Sequence, residues 1–182
     1  MLFDMKMQNE CSEWLNEVRL VFPNLKSKKI FCDYKKMSQK RLGCISAKIE
    51  RKLDFDPEAL LLGEQTNIRG RVLKPKEFKV LINSDLQRIK NIALRKEIVQ
   101  NILIHELLHI EGEDLITLSK EYNRRKKKKI HINDFEEEVF NRYNKLRELK
   151  GIMQIQKKEH LDIAIQRILE TIRWFEKREN LK

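Results

Sequence analysis

The order of apolar and polar positions divides the chain into helical and strand-like segments. Apolar residues at three- and four-residue spacings over residues 9–22 predict an amphipathic helix that stops at Pro23. Alternation of apolar and polar residues predicts strands at residues 29–33, 43–49 and 78–83. We expect Asn83 to close the third strand and to cap the segment after it.

A second helical pattern covers residues 93–110 and places apolar groups on nearly every face. A helix that is apolar all round is typical of the centre of a fold, and Gly112 is well placed to end it. A further helical pattern runs over residues 130–149.

Gly151 predicts a break between two units: a domain at residues 1–149 and a C-terminal helical extension at residues 150–182. The extension carries one apolar stripe along an otherwise charged helix, formed by Leu161, Ile165, Ile168, Ile172 and Phe175. We expect this stripe to pack on the domain. The alternatives are that the extension dimerises through this stripe or that it covers a cleft in the domain.

Charge and composition limit the possible partners and the cellular location of the protein. Its 39 basic and 28 acidic residues give a net charge of +11, which is typical of proteins near an acidic partner such as DNA or RNA. Six consecutive cations from Arg124 to Lys129 are the candidate for contact with phosphates, although a solvated loop is the favoured interpretation of this run. No apolar run approaches the ~20 residues of a membrane span, and the N-terminus lacks a signal-peptide pattern. With three cysteines and no CxxC spacing, we expect reduced thiols in a soluble, cytoplasmic protein.

One motif within the apolar helix indicates a chemistry. His105-Glu106-Leu107-Leu108-His109 has the HExxH pattern, in which two imidazoles four residues apart lie on one side of a helix and can bind one Zn²⁺. Glu106 can then act as the general base toward the water that zinc activates. Unpaired polar groups at such buried positions would be costly, and a metal site removes that cost.

A catalytic zinc needs a third protein ligand, and the sequence leaves several candidates. Leu115 stands where a metzincin has its third histidine, so that pattern is excluded. We favour His131, at the start of the next predicted helix, with Phe135 anchoring that helix in the core. Glu138 is the main alternative, because it lies near the apolar face of the predicted helix. The two preceding residues, Glu136 and Glu137, are expected to face solvent. Glu113 and Asp114 are less favoured because they need a tight turn after Gly112.

The HELLH motif followed by His131 and Phe135 resembles SprT-like proteases and the small zincin-like metallopeptidases of archaea and phages. The resemblance covers roughly residues 29 to 146, although many SprT-like members have a shorter interval before the third histidine. Minimal gluzincins, with Glu138 as ligand, are the runner-up. The resemblance implies a zincin-like α+β fold, in which a small, mostly antiparallel sheet packs on the central helix that carries the motif. The edge strand of that sheet, here residues 78–83, is expected to bind extended substrate by strand addition.

These observations predict a zinc-dependent metallopeptidase that hydrolyses protein or peptide substrates. His105, His109 and His131 are the expected metal ligands, and Glu106 is the expected catalytic base. The alternative is a basic, nucleic-acid-associated binding module that keeps a zincin fold without proteolytic turnover.

Overall fold

A computed structural model describes residues 2–38, 41–47, 51–52, 71–72, 77–112, 134–161, 163, 165–167, 170 and 174. Its helices are α1 (Leu2–Val18), α2 (Ile92–Glu111) and α3 (Phe135–Leu149). Its strands are β1 (Lys29–Lys35), β2 (Gly43–Ala47), β3 (Arg51–Lys52), β4 (Arg71–Val72) and β5 (Glu77–Asn83). Short 3-10 helices cover Arg19–Val21, Pro23–Leu25 and Ser84–Arg88. The elements form an α+β fold, as the sequence predicts.

The main sheet has the order β1-β5-β2 and is mixed. β5 pairs in parallel with β1 and antiparallel with β2, so the expectation of a mostly antiparallel sheet is wrong for these three strands. The expectation that residues 78–83 form an edge is also wrong, because β5 lies in the middle. The alternate residues Phe78, Val80 and Ile82 of β5 are buried on one face of the sheet. Both edges of β5 are paired, so this strand is the most enclosed of the three. β3 and β4 form a separate antiparallel pair.

α2 lies at the centre of the fold, where it packs against α1, α3, β2 and β5. Twelve of its twenty residues are buried, in agreement with the apolar pattern on every face. The helix begins where the side chain of Asn91 accepts a hydrogen bond from the Leu94 N–H at 3.1 Å. It ends at Gly112, whose N–H donates to the Leu108 carbonyl at 2.8 Å. Both ends of the helix that carries the motif are therefore fixed by local hydrogen bonds.

Arg142 fixes α3 against the C-terminal end of α2. Its guanidinium donates to the carboxylates of Glu138 and Glu111 at 2.6 and 2.9 Å and to the Val21 carbonyl. The same group lies over the Phe22 ring, 4.8 Å from the ring centroid. A single side chain thus joins α3, the end of α2 and the segment after α1, and it sets where the first turn of α3 lies.

The chain turns back on α3 at Gly151, whose φ of 66° is the left-handed conformation that glycine adopts without strain. Ile155 then exchanges two hydrogen bonds with the Asn144 side chain, at 2.8 and 3.0 Å. Ile155 and Leu161 are half-buried against the core, as expected for packing of the extension. Ile165 of the stripe is also half-buried, whereas Ile168, Ile172 and Phe175 lie outside the described residues. The division at residue 149 stays a prediction.

Cys11 of α1 and Cys32 of β1 form a disulfide, with their Cα atoms 5.8 Å apart. The expectation of reduced thiols is therefore wrong for these two, because α1 packs across β1 and brings together residues 21 positions apart. Cys44 is free and half-buried. Since disulfides are rare in the cytosol, this bond does not support the cytoplasmic assignment, which stays a prediction. Across the described ranges, no helix has the length and apolar character needed to cross a bilayer.

Candidate metal centre

α2 brings His105 and His109 together on one side of the helix, as their spacing predicts. Their ring centroids are 5.1 Å apart and the rings are inclined by 75°. The Nε2 atoms of the two rings face each other at 3.4 Å. Both histidines thus direct the same nitrogen toward one point beside the helix.

The separation of these nitrogens fits a tetrahedral metal ion. Zinc binds histidine nitrogen at about 2.0–2.1 Å, so two ligands at a tetrahedral angle stand about 3.3–3.4 Å apart. The observed 3.4 Å equals that spacing without any rearrangement of the rings. Two soft-to-borderline nitrogen donors also match the ligand preference of zinc. The residues present therefore fit two of the protein ligands of a zinc site.

Phe135, the first residue of α3, packs on both imidazoles. Its ring stacks on His109 with centroids 4.7 Å apart and meets His105 edge-on at 5.0 Å. The half-buried ring also joins the edge of the hydrophobic core, so the prediction that Phe135 anchors its helix there is confirmed. The Phe135 ring therefore limits the rotation of both imidazoles on the side that faces α3.

Glu136 follows Phe135 and lies beside the other nitrogen of His105. Its Oε1 atom is 3.9 Å from His105 Nδ1. The side chain of Glu136 is 47% exposed, in agreement with the expectation that it faces solvent, but the sequence pattern does not predict its contact with His105. The feature of the sequence that could have predicted this contact is the position of Glu136 directly after Phe135.

The Glu106 side chain lies against β2. The residue is only 8% exposed, and its carboxylate lies against the backbone of Gly43. A Cβ atom at position 43 would stand 2.8 Å from Glu106 Oε1 and 2.6 Å from Ile102 Cγ2. Position 43 therefore requires glycine for α2 and β2 to approach this closely, a requirement that strand periodicity did not reveal.

Burial raises the pKa of Glu106 to about 7, against the opposing positive influence of His109 and Arg41. A carboxyl group in this position is therefore far less acidic than one in water. A divalent cation bound at the two imidazoles would add a neighbouring positive charge and lower that pKa again.

The outer edge of β2 lies next to Glu106. The Asn83 N–H donates to the Leu42 carbonyl at 2.8 Å, directly before β2. Because hydrogen-bonded pairs alternate along an antiparallel ladder, the backbone groups of Gly43, Ile45 and Ala47 face away from β5. Among the strands that the structure describes, none pairs with this side of β2.

The third ligand is not defined by the described residues. His131, Glu113 and Asp114 lie outside them, as does the basic run from Arg124 to Lys129. The Glu138 carboxylate is described, and it accepts a hydrogen bond from Arg142 Nε at 2.6 Å. In the part of the chain with described positions, no group of three His, Cys, Asp or Glu residues could hold a metal ion.

Comparison of the chain with protein-family models, with curated proteins and with solved structures gave no match. The resemblance to zincin-like proteases therefore rests on the motif residues themselves.

We predict that Gly43→Ala displaces Glu106 and destabilises the fold. The added methyl group would overlap the side chains of Ile102 and Glu106, and overpacking of this kind costs about 1–3 kcal/mol. Thermal or urea unfolding measures the loss, with Ser46→Ala on the same strand as the control because Ser46 is exposed. Equal stability of the two variants would contradict the close approach of α2 to β2.

Proposed function

We propose that the protein is a zinc-dependent metallopeptidase. The single observation that carries the proposal is the 3.4 Å separation of the two Nε2 atoms, which equals the spacing of two tetrahedral zinc ligands. The buried carboxylate of Glu106, one residue along the same helix, adds the acid–base group that hydrolysis requires. No sequence or structural relative enters this argument.

Each residue of the motif has a separate task in this mechanism. His105 and His109 would hold the metal through Nε2, and Phe135 limits rotation of both rings. Bound zinc would supply a Lewis acid that polarises the scissile carbonyl and makes water a better nucleophile. Glu106 takes a proton from the attacking water and passes it to the leaving amine, so the C–N bond breaks and a carboxylic acid and an amine result.

The edge of β2 with which no described strand pairs is where an extended substrate would bind. Outward N–H and C=O groups at Gly43, Ile45 and Ala47 can pair with a peptide backbone by strand addition. The same glycine contacts Glu106, so a strand bound at this edge runs past the proposed catalytic base. This edge takes the place of residues 78–83 as the proposed substrate-binding strand, because the backbone groups of those residues are already paired on both sides.

Glu106→Gln tests the proposed role of the carboxylate. We expect zinc affinity close to that of the wild type, because Glu106 is not a ligand, and a fall of about 100-fold or more in hydrolysis of quenched fluorescent casein. His105→Ala and His109→Ala should lose zinc as well as activity. His160→Ala is the matched control, since that histidine is exposed.

The same assay separates the peptidase from the nucleic-acid-associated module. A wild-type protein that binds zinc but cleaves no protein substrate, with or without DNA present, would contradict the peptidase proposal. A wild-type protein that binds no zinc would contradict both zinc-dependent readings.

Two further variants test the third ligand. We expect His131→Ala to weaken zinc binding strongly and Glu138→Gln to leave it nearly unchanged, because the Glu138 carboxylate is held by Arg142. Zinc affinity, measured by competition with a chromogenic chelator, decides between them. The reverse order of affinities would assign Glu138 as the ligand and move the protein toward the minimal gluzincin pattern.

Proline substitutions in β2 test the substrate edge. Ala47→Pro removes an N–H that faces away from β5, so we expect retained folding and zinc affinity with a raised KM for casein. Ser46→Pro removes an N–H that faces β5 and should destabilise the sheet instead. An unchanged KM in a folded Ala47→Pro protein would place substrate binding elsewhere.

A further inference from the structure

The two ring nitrogens of His105 have different surroundings. Nε2 faces His109 Nε2 at 3.4 Å, where a metal would bind, whereas Nδ1 faces the first turn of α3. The described charged group nearest to Nδ1 is the Glu136 carboxylate, with Oε1 at 3.9 Å. Phe135 closes a third side of the ring without offering a hydrogen bond.

Metal binding through Nε2 depends on which nitrogen carries the imidazole proton. A neutral imidazole has one N–H and one lone pair, and only the nitrogen with the lone pair can be a ligand. An ionised carboxylate accepts hydrogen bonds and donates none, so a carboxylate at Nδ1 favours the proton there. The lone pair is then left on Nε2, toward His109.

The distance of 3.9 Å is longer than a direct hydrogen bond. A small rotation of the half-exposed Glu136 side chain brings its carboxylate within hydrogen-bond distance of Nδ1. The helix that carries Glu136 is itself held in place by Phe135 at its first residue and by Arg142 two turns later. Glu136 therefore reaches His105 from a fixed support.

We propose that Glu136 is a positioning residue that holds the Nδ1 proton of His105 and so keeps the Nε2 lone pair directed at the metal position. Its effect on zinc rests on the proposed function, but its effect on the imidazole does not. Carboxylates that orient ligating histidines typically change metal affinity by roughly 10- to 100-fold when they are removed.

The test compares Glu136→Ala with Glu137→Ala. Both residues lie in the first turn of α3 and both are exposed, so each variant removes one favourable charge from the same helix terminus. We expect Glu136→Ala to weaken zinc binding about 10-fold and Glu137→Ala to leave it unchanged. Glu136→Gln, which keeps a neutral acceptor, should lie between them.

A second measurement uses the metal-free protein. Imidazole ¹⁵N shifts at about pH 8, where histidine is neutral, report the tautomer of each ring. We expect His105 to favour the Nδ1–H form in the wild type and in Glu137→Ala, and to lose that preference in Glu136→Ala. His160 provides an internal reference in the same spectra.

The two measurements distinguish the two proposals. Equal zinc affinity and an equal His105 tautomer in Glu136→Ala and Glu137→Ala would overturn the role of Glu136 and leave the peptidase proposal standing. Absence of zinc binding by the wild type would overturn the peptidase proposal, and the tautomer would still decide the role of Glu136.

Discussion

The central constraint in this protein is the presence of His105, Glu106 and His109 in the most enclosed part of α2, where Glu106 is buried and the two histidines are half-buried. Desolvating such groups costs free energy unless each finds a partner. α2 cannot turn these residues to solvent, because its other faces are buried against α1, α3 and the sheet. The surroundings of the three side chains must therefore satisfy them, and the details of the fold near α2 follow from that requirement.

Two neighbours of α2, the strand β2 and the helix α3, supply contacts to these three side chains. The backbone of β2 approaches Glu106 only because position 43 has no side chain. On the other side, α3 contributes the Phe135 ring and the Glu136 carboxylate to the imidazoles. Arg142 joins α3 to the end of α2, so the support for the histidines is part of the core and not a separate loop. A metal ion bound at the Nε2 atoms would be a further partner of both imidazoles.

Local patterns predicted the elements well because they depend on neighbouring residues. The apolar helix around the motif, the three longer strands and the end of α3 near Gly151 all follow from the residues within one segment. The order of the sheet does not, because the parallel pairing of β1 with β5 joins residues 48 positions apart, such as Ile30 with Phe78. The disulfide between Cys11 and Cys32 has the same character, since only the packing of α1 on β1 brings the two thiols together.

The candidate site was predictable to the same extent. The spacing of His105 and His109 predicts their convergence, but the partners of the site come from other segments. Gly43 lies 63 positions before Glu106, and Glu136 lies 31 positions after His105. A single sequence shows a glycine that suits a strand end and a glutamate that suits a helix start. Their contacts with the motif appear only when the helices and the sheet are packed together.

The geometry of α2 also limits where a substrate can lie. Successive residues of an α-helix differ in direction by about 100°, so His105 and Glu106 face different neighbours. The imidazoles face the first turn of α3, whereas the carboxylate faces Gly43 on the edge of β2. A peptide that reaches both the metal position and the base must therefore pass between these two elements, along the edge whose backbone groups point outward. In the proposed mechanism, the angle between these two adjacent side chains relates the proposed metal position to the proposed substrate edge. Neither side chain could move around the helix without losing its partner.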